Sequence, residues 1–291
     1  TFSGKGLLHV AAVHAVLSGR LPTGQILSHD LLEGSVARCG GVSDITLMED
    51  APLHADVASS RVHRWTRGDW QLWPVLLQWR RFGLRTIHGW KMLDNLRRSL
   101  VAPMSVLLLW ASLASGAVSP WGALALVAAA FAAGPLLGAV AGLAPSHDDV
   151  ALGRFFRLAL ADVARALGSA CWNLATLLQQ GLLLAHAIAT ALWRTTISRR
   201  GLLRWTTAAS AQASVQHTLQ GLARRHAPVA LAALALWGGL WWVGTPWPLL
   251  ATAVCLLWAG AALWIWAGSR PWKTACTSAP SVADRAYLQG V

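Results

Sequence analysis

Four apolar stretches set the pattern of the chain and predict membrane-spanning helices. Leu100–Val118 and Trp121–Leu143 follow one another across a Ser-Pro turn, and Ala227–Val243 and Trp247–Ala267 follow one another across a Gly-Thr-Pro turn. Each stretch approaches the roughly 20 apolar residues that cross the hydrocarbon core of a bilayer. The pattern therefore predicts two transmembrane hairpins and four spans.

Positive charge is confined to the segments around these hairpins. No Lys or Arg occurs between Arg98 and Arg154, and none occurs between Arg225 and Arg270. Three segments carry all of the Lys and Arg side chains: residues 1–98, 144–226 and 269–291. Because Lys and Arg accumulate on the cytoplasmic side of a membrane, these three segments are predicted to be cytoplasmic.

The composition agrees with a membrane protein. Hydrophobic residues make up 55% of the chain and charged residues only 12%, with a formal net charge of +12. The arginines flank the apolar stretches and form no basic patch interleaved with aromatics, so the predicted partner is the lipid bilayer and not nucleic acid. The four cysteines lack the spacing of a disulfide framework or a zinc site: Cys39, Cys171, Cys255 and Cys276.

A further apolar stretch, Ala166–Trp193, follows a predicted helix at Leu152–Arg165 and leaves two interpretations open. It can form a fifth span or an amphipathic helix at the membrane interface. The interfacial helix is favoured, because a fifth span would place Arg194, Arg199 and Arg200 outside the cell.

The first 55 residues predict the second part of an α/β domain. An apolar helix at Leu7–Leu17, a strand at Gln25–Leu27, a helix after Asp30 and a strand at Val42–Met48 follow in order. These elements cannot bury a complete core, so we expect the remaining strands upstream. The chain opens without Met, and we expect it to be a piece of a longer protein.

A long amphipathic pattern from Asp56 to Trp79 predicts a helix at the membrane surface. Apolar residues including Trp65 form one stripe, and Arg61, Arg64 and Arg67 crowd the neighbouring face. A solvated basic helix is the alternative. Residues 85–98 form a basic connector before the first span.

Two motifs carry candidate chemistry. Asp30 stands at a predicted strand-to-helix corner, where α/β enzymes place reactive groups, although a helix cap is the commoner role for such an Asp. In the second motif, Arg61 and Arg64 present forks that suit phosphate oxygens, and Trp65 offers an indole face to a sugar ring. Transfer of a sugar from a nucleotide with inversion needs a carboxylate base and cations for the leaving diphosphate.

These motifs resemble the cyclic β-1,2-glucan synthases, which are membrane-embedded processive glucosyltransferases. The resemblance lies first in Ile26–Gly34, which reads ILSHDLLEG, and in Arg61–Gln71, which reads RVHRWTRGDWQ. Three further stretches agree: Lys91–Leu100, Ser198–Ala208 and Asp284–Leu288. Cellulose synthases and the glucosyltransferases of periplasmic glucans are similar more distantly.

The resemblance implies a role for each site residue. Asp30 matches the catalytic base, while Arg61, Arg64 and Trp65 match the motif that holds the diphosphate and the acceptor end of the glucan. His29 and Glu33 are supporting candidates: packing is the favoured role for His29, and a plain helix-face acid is an equal alternative for Glu33.

The implied substrates are UDP-glucose and the growing β-glucan, and the implied cofactor is Mg²⁺ or Mn²⁺. The family binds nucleotide and metal through earlier aspartate motifs that include Asp-x-Asp, and this chain contains no Asp-x-Asp. Metal ligands are therefore expected in a preceding part, and this chain alone is expected to be inactive. The implied location is the bacterial inner membrane, with several passes.

The fold class implied is an incomplete α/β GT-A-like glycosyltransferase half-domain followed by an α-helical polytopic membrane region. The expected division is the end of the glycosyltransferase domain at 1–55, interface helix and connector at 56–98, a transmembrane hairpin at 99–143, cytoplasmic or interfacial helices at 144–226, a second hairpin at 227–268 and a linker at 269–291. Two alternatives stay open. One is a linear periplasmic-glucan or cellulose-type synthase, and the other is a non-catalytic membrane subunit for glucan export.

Overall fold

A computed structural model describes residues 9–19, 24–27, 30–37, 52, 54–143 and 152–270. All regular secondary structure in these residues is helical. The helices are α1 (Val10–Leu17), α2 (Asp30–Ala37), α3 (Ala55–Gln71), α4 (Trp73–Leu77), α5 (Thr86–Ser115), α6 (Pro120–Ala141), α7 (Leu152–Ala175), α8 (Leu177–Leu192) with a following π-helical turn (Trp193–Ser198), α9 (Ala208–Ala213), α10 (Leu219–Arg225), α11 (Ala227–Trp242), α12 (Pro248–Ala259) and α13 (Ala261–Gly268).

Helices α5 and α6 correspond to the first predicted hairpin, and each is long and apolar enough to cross a membrane. Gly116 ends α5 with φ +63°, and the Ser119 side chain caps α6. Helix α5 begins at Thr86, so the basic connector is the first part of this helix. No strong breaker interrupts it there, and Asp94 pairs with Arg97 and Arg98 along its surface.

Two helix pairs are bent, and each pair passes the same test of length and apolar composition when its two helices are taken together. Helices α7 and α8 with the π-helical turn meet at 67°, and α12 and α13 meet at 50°. If each bent pair is one span, the described residues offer up to four spans, and α11 is a shorter apolar helix. The second predicted hairpin is thus present as apolar helices, with its last stretch bent at Gly260.

The break between α7 and α8 lies at Thr176, so the predicted boundary at Arg165–Ala166 is wrong. Helix α7 continues ten residues further because nothing in its sequence stops it. At the bend, the Thr176 hydroxyl donates to the Trp172 carbonyl at 2.8 Å, and the Gln180 amide donates to the Thr176 hydroxyl at 2.8 Å. These side chains satisfy polar groups where the regular backbone pattern ends.

Helix α8 is the centre of the described structure, because it packs on α5 along one side and on α3 along another. Gly181 makes the contact with α5 close: a Cβ on this residue would meet Val106 Cγ2 at 3.2 Å. The largest core cluster surrounds this contact and includes Ala102, Leu109, Leu177, Leu184, Ala233 and Trp258. Helix α3, which carries the Arg-Trp motif, is therefore fixed against the apolar bundle.

The predicted strand at Gln25–Leu27 is wrong, since these residues form a turn and irregular chain. The Leu27 amide donates to the Gln71 side chain at 2.8 Å, so this segment docks on α3 through one side chain and not through a strand ladder. Ile26, Leu31 and Leu32 pack with Leu72. The predicted strand at Val42–Met48 lies outside the described residues, and the α/β half-domain is not seen in the described part of 1–55.

The long helix predicted at Asp56–Trp79 is present but divided. It begins at Ala55, where His54 Nδ1 accepts a hydrogen bond from the Asp56 amide at 3.2 Å. It is interrupted at Leu72, because Pro74 stands in the first turn of α4 and has no amide hydrogen to continue the α3 pattern. Helix α3 therefore carries the whole Arg61–Trp65 motif on one uninterrupted segment.

Candidate functional site

The Arg61–Trp65 motif divides between two faces of α3. The guanidinium carbon of Arg61 lies 5.0 Å from the centre of the Trp65 ring, as expected for side chains one turn apart. Both side chains are exposed, with Trp65 at 44%. Arg64 lies on an adjacent face of α3 and contacts a different ring.

Arg64 contacts an aromatic residue far along the chain. Its guanidinium carbon lies 4.6 Å from the centre of the Trp205 ring. Trp205 belongs to the segment between the π-helical turn and α9, which is part of the Ser198–Ala208 motif. The structure thus brings together two motifs that the sequence presents separately.

This contact forms one wall of a pocket of about 220 Å³ that is rich in arginine. The lining residues are Ser60, His63, Arg64, Arg67, Arg194, Arg204, Trp205 and Thr206. Four of them are arginines, and none of the described lining residues carries a carboxylate. Such a set of guanidinium groups suits an anion with several oxygens, because each group offers two parallel donors.

Arg67 is the most enclosed of the four arginines, at 5% exposure. It donates to the carbonyls of Arg204 at 2.8 Å and Leu202 at 3.4 Å. Its Nε is buried and has no hydrogen-bond partner within the described part of the chain. Burial, and then the charge of Arg194, lowers the pKa of Arg67. An anion in the pocket would relieve both the unpaired donor and the repulsion between the cations.

Hydrogen bonds to backbone carbonyls hold the segment that carries Trp205 in place. Arg194 donates to the Gly201 carbonyl at 2.8 Å, while the Gln71 amide donates to the Leu202 carbonyl at 3.0 Å. Gly201 has φ +63°, a left-handed conformation that glycine adopts without steric cost. Helix α3 and the end of α8 thereby fix the position of this segment over the pocket.

A histidine pair lies beside the arginines. His63 Nε2 and His186 Nδ1 are 3.0 Å apart, and their rings stack with centres 5.2 Å apart. Burial, followed by the charges of His186, Arg67 and Arg194, lowers the pKa of His63 to about 4. His63 is therefore neutral near pH 7 and adds no charge to the pocket.

Asp30 is the first residue of α2 and is exposed, which suits either a helix-terminus acid or a reactive carboxylate. Glu33 is half-buried one turn further along. His29 lies outside the described residues. The N-terminal position of Asp30 on a helix agrees with the sequence prediction, and its chemical role stays a prediction.

Asp69, a carboxylate on the Arg-Trp helix, is affected by the charge of Asp30. Asp69 lies one turn after Trp65 on α3, and its carboxylate accepts a hydrogen bond from the Asn95 amide at 2.9 Å. Burial raises the pKa of Asp69 and the charge of Asp30 adds to that effect, although Asn95 and the charge of Arg98 oppose it. Asp30 is thus close enough to influence a carboxylate on the same helix as Trp65.

Sequence reasoning assigned no site role to Arg67, Asp69, Arg194, Arg204 or Trp205. Asp69, Arg204 and Trp205 stand inside stretches that carry the resemblance. The sequence therefore indicated that these stretches matter, but not which residues they contact. Arg194 gave no signal beyond a charge after an apolar stretch. Among the described residues, no group of three or more His, Cys, Asp or Glu side chains is arranged to hold a metal ion.

Comparison with known proteins identifies a relative. No protein-family model matches the chain. Over 264 residues the chain is 38% identical to the cyclic beta-(1,2)-glucan synthase NdvB of Rhizobium meliloti (strain 1021). The match covers 87% of this chain, which spans 9% of the length of that relative. The resemblance indicated by the motifs is thereby confirmed: over most of its length, this chain is related to a segment of a cyclic β-1,2-glucan synthase.

Proposed function

We propose that this chain forms the acceptor side and membrane part of a glucosyltransferase that polymerises glucose from UDP-glucose into cyclic β-1,2-glucan. The observation that carries the proposal is the arginine pocket built around Arg64, with the buried, unpaired Nε of Arg67. The similarity to a cyclic glucan synthase supports the reaction class. The apolar helices support attachment to a membrane, which we propose is the bacterial inner membrane, crossed several times.

In this proposal the arginine pocket holds the diphosphate. When the bond between the anomeric carbon and the diphosphate oxygen breaks, the electron pair leaves with that oxygen. Arg64, Arg67, Arg194 and Arg204 would stabilise the charge that develops there. Trp205 covers Arg64 and keeps water from one side of it, which strengthens the interaction with phosphate.

Asp30 is the proposed base of a single displacement with inversion. Its carboxylate takes the proton of the acceptor hydroxyl while that oxygen attacks the anomeric carbon. Asp30 stands at the exposed start of α2, where the helix N-terminus favours negative charge. His29 and Glu33 are supporting residues in the proposal and take no proton.

Trp65 is the proposed platform for the acceptor sugar. Arg61 covers part of its indole, and the ring is 44% exposed, so a pyranose has room to stack. Because Trp65 and Arg64 are neighbours on α3, acceptor and diphosphate would meet on adjacent faces of one helix. That arrangement suits transfer of a glucosyl unit from one to the other.

Mg²⁺ or Mn²⁺ belongs to the proposal as a cofactor of the intact protein. The described residues do not fit a metal site, since they contain no group of three or more suitable side chains. No step above is assigned to the metal. The ligands are proposed to come from residues outside those described here.

The test is the substitution Arg64→Lys in the intact protein, with initial glucose incorporation from UDP-glucose measured at matched expression. A lysine keeps the charge but loses the planar fork, so we expect a loss of about tenfold to a hundredfold. Arg165→Lys is the matched control, because Arg165 is exposed on α7 and pairs with Asp162, also on the surface of α7.

A silent Arg64→Lys substitution would contradict the diphosphate role. It would favour the non-catalytic alternative, in which α3 is an anchor and its arginines bind lipid headgroups. A linear-glucan synthase predicts the same loss as a cyclic one. The two are separated by whether the product has a reducing end.

A further inference from the structure

A second cleft lies next to the arginine pocket and shares no lining residue with it. Its volume is about 600 Å³. Three parts of the chain form its walls: residues 24–26, the end of α3 with α4 and the turn after it, and the π-helical turn with the residues after it. The function proposed above assigns nothing to this cleft.

The polar groups of the cleft are mostly uncharged. Gln25, Gln71, Gln78 and Thr195 line it together with Phe82, and Arg199 supplies its one cation. None of the described lining residues is a carboxylate. Amides both donate and accept hydrogen bonds, and an aromatic ring offers an apolar face. This chemistry matches a neutral ligand with many hydroxyls, whereas the neighbouring pocket matches an anion.

Some of these groups are already engaged and others are available. Gln71 is 4% exposed and is engaged at both ends of its amide, because it accepts from the Leu27 amide and donates to the Leu202 carbonyl. Gln78 is exposed and receives one long hydrogen bond, 3.3 Å from Arg81. Within the described part of the chain, no hydrogen bond engages Gln25. Gln71 therefore builds the walls, while Gln25 and Gln78 have capacity for a ligand.

Arg199, which lines the cleft, has a left-handed backbone conformation. Its φ is +51°, and it is the one residue other than glycine with a positive φ in the described ranges. A left-handed conformation is uncommon for a side-chain-bearing residue, and such conformations cluster at ligand sites. No hydrogen bond within the described residues holds the Arg199 guanidinium. Arg199 is also the C-cap of the π-helical turn, a position where left-handed residues commonly end a helix, and it contributes the cation of the cleft.

The cleft and the arginine pocket meet at the Leu202 carbonyl. This oxygen accepts from Arg67, which lines the pocket, and from Gln71, which lines the cleft. Arg67 and Gln71 are one turn apart on α3, or about 6 Å along the helix axis. That distance is close to the size of one sugar ring, so a sugar in the cleft would lie beside a diphosphate in the pocket.

We propose that this cleft is a pyranose subsite, with Phe82 as its apolar wall and Gln25, Gln78 and Arg199 as its hydrogen-bonding groups. The proposal rests on the proposed function in taking a glucosyl unit as the ligand. That unit has two sources, the hexose of UDP-glucose and a residue of the glucan chain. Both present the same ring hydroxyls. The hexose of UDP-glucose is attached to a nucleoside diphosphate, whereas a residue of the glucan chain is attached to further glucose units.

The experiment measures the affinity of the intact protein, reconstituted in nanodiscs, for three ligands: UDP-glucose, UDP and a linear β-1,2-linked glucose oligosaccharide. The variants are Gln78→Ala, Gln25→Ala and Phe82→Leu, and the control is Gln212→Ala on α9. Gln25, Gln78 and Gln212 are all exposed, so their truncation leaves the core intact. Direct binding needs no turnover, so the result does not depend on the proposed base.

If the cleft takes the donor hexose, Gln78→Ala and Phe82→Leu lower the affinity for UDP-glucose about fivefold to tenfold and leave the affinity for UDP unchanged. If it takes the glucan, the same variants lower only the affinity for the oligosaccharide. Either result supports the subsite. Affinities equal to those of Gln212→Ala for all three ligands would overturn it. So would an equal loss for UDP and UDP-glucose. The proposed function fails separately, through a silent Arg64→Lys.

Discussion

Two arginine–tryptophan contacts on α3 are alike in geometry and differ in how far apart the two residues lie along the chain. Arg61 lies over Trp65 one turn away on the same helix, and Arg64 lies over Trp205 in a distant segment. Both tryptophans are 44% exposed, but Arg61 is exposed on the open surface, whereas Arg64 is half-buried and lines a pocket with three further arginines. The same residue types therefore serve different purposes, and their surroundings decide which.

The difference follows from solvation. An exposed cation–π contact contributes about 0.5–1 kcal/mol, so the Arg61–Trp65 pair adds little to the fold and leaves the indole available to a ligand. Arg67 is buried, Arg64 is half-buried and two further arginines line the same pocket, so these charges are costly without an anion. We infer that the Arg61–Trp65 pair serves the acceptor and that the Arg64–Trp205 pair serves the diphosphate.

The largest loss of activity is expected on substitution of Asp30. As the proposed base, Asp30 would act on the reaction between the acceptor held at Trp65 and the donor held at Arg64. Asp30→Asn keeps the shape of the side chain but removes the base, so transfer from UDP-glucose should fall by about a hundredfold or more. The affinity for UDP should stay unchanged, because Asp30 does not line the arginine pocket. Asp162→Asn, at an exposed acid of α7, is the control. Near-normal transfer would remove Asp30 from the mechanism.

The next largest effect is a loss of binding affinity that distinguishes the roles of Trp65 and Trp205. Trp205→Leu should lower the affinity for UDP, because it removes the ring that keeps water from one side of Arg64. Trp65→Leu should lower the affinity for a glucan oligosaccharide, because loss of stacking is typically worth about 1–3 kcal/mol. Each loss of affinity should be about tenfold. Trp65→Phe should recover part of its loss because it keeps an aromatic face. Equilibrium binding of both ligands to both variants gives the answer. If both substitutions weaken the same ligand, the division between the two contacts is wrong.

The smallest effect is a pH dependence at the enclosed side of α3. The pKa of His63 is lowered to about 4, mainly by burial, so a proton binds the unfolded chain better than the folded protein between pH 6.5 and pH 4. Stability should therefore fall as the pH falls through this range. His63→Gln removes this titration, and its melting temperature should fall less between pH 7 and pH 5. Parallel decreases in both proteins would show that His63 is not responsible.

Local features of the site could be predicted from the sequence because they depend on neighbours along a helix. The pairing of Arg61 with Trp65 follows from their spacing of four residues, and the helix that starts at Asp30 follows from its acidic first turn. The apolar helices α5 and α6 follow from composition alone. Pro74 also marked the interruption of α3, although the amphipathic pattern continued past it.

Long-range features could not be predicted in the same way. Nothing in the Arg64 motif specifies that Trp205 and Arg204 will lie beside it, because that contact depends on how α8 packs against α3. The segment at Gln25–Leu27 has the composition of a strand, yet its backbone bonds to the Gln71 side chain. The bend at Thr176 depends on hydrogen bonds between polar side chains within an apolar stretch, which hydropathy does not reveal.

The most direct test of the diphosphate role is the ratio of UDP affinity to uridine affinity in the intact protein. Both ligands share the nucleoside, so the ratio isolates the contribution of the diphosphate. Arg204→Gln removes one cation of the pocket and should lower this ratio by about tenfold or more, while Arg165→Gln should leave it unchanged. A ratio in Arg204→Gln equal to that of the unmodified protein would contradict the account, because the diphosphate would then bind elsewhere.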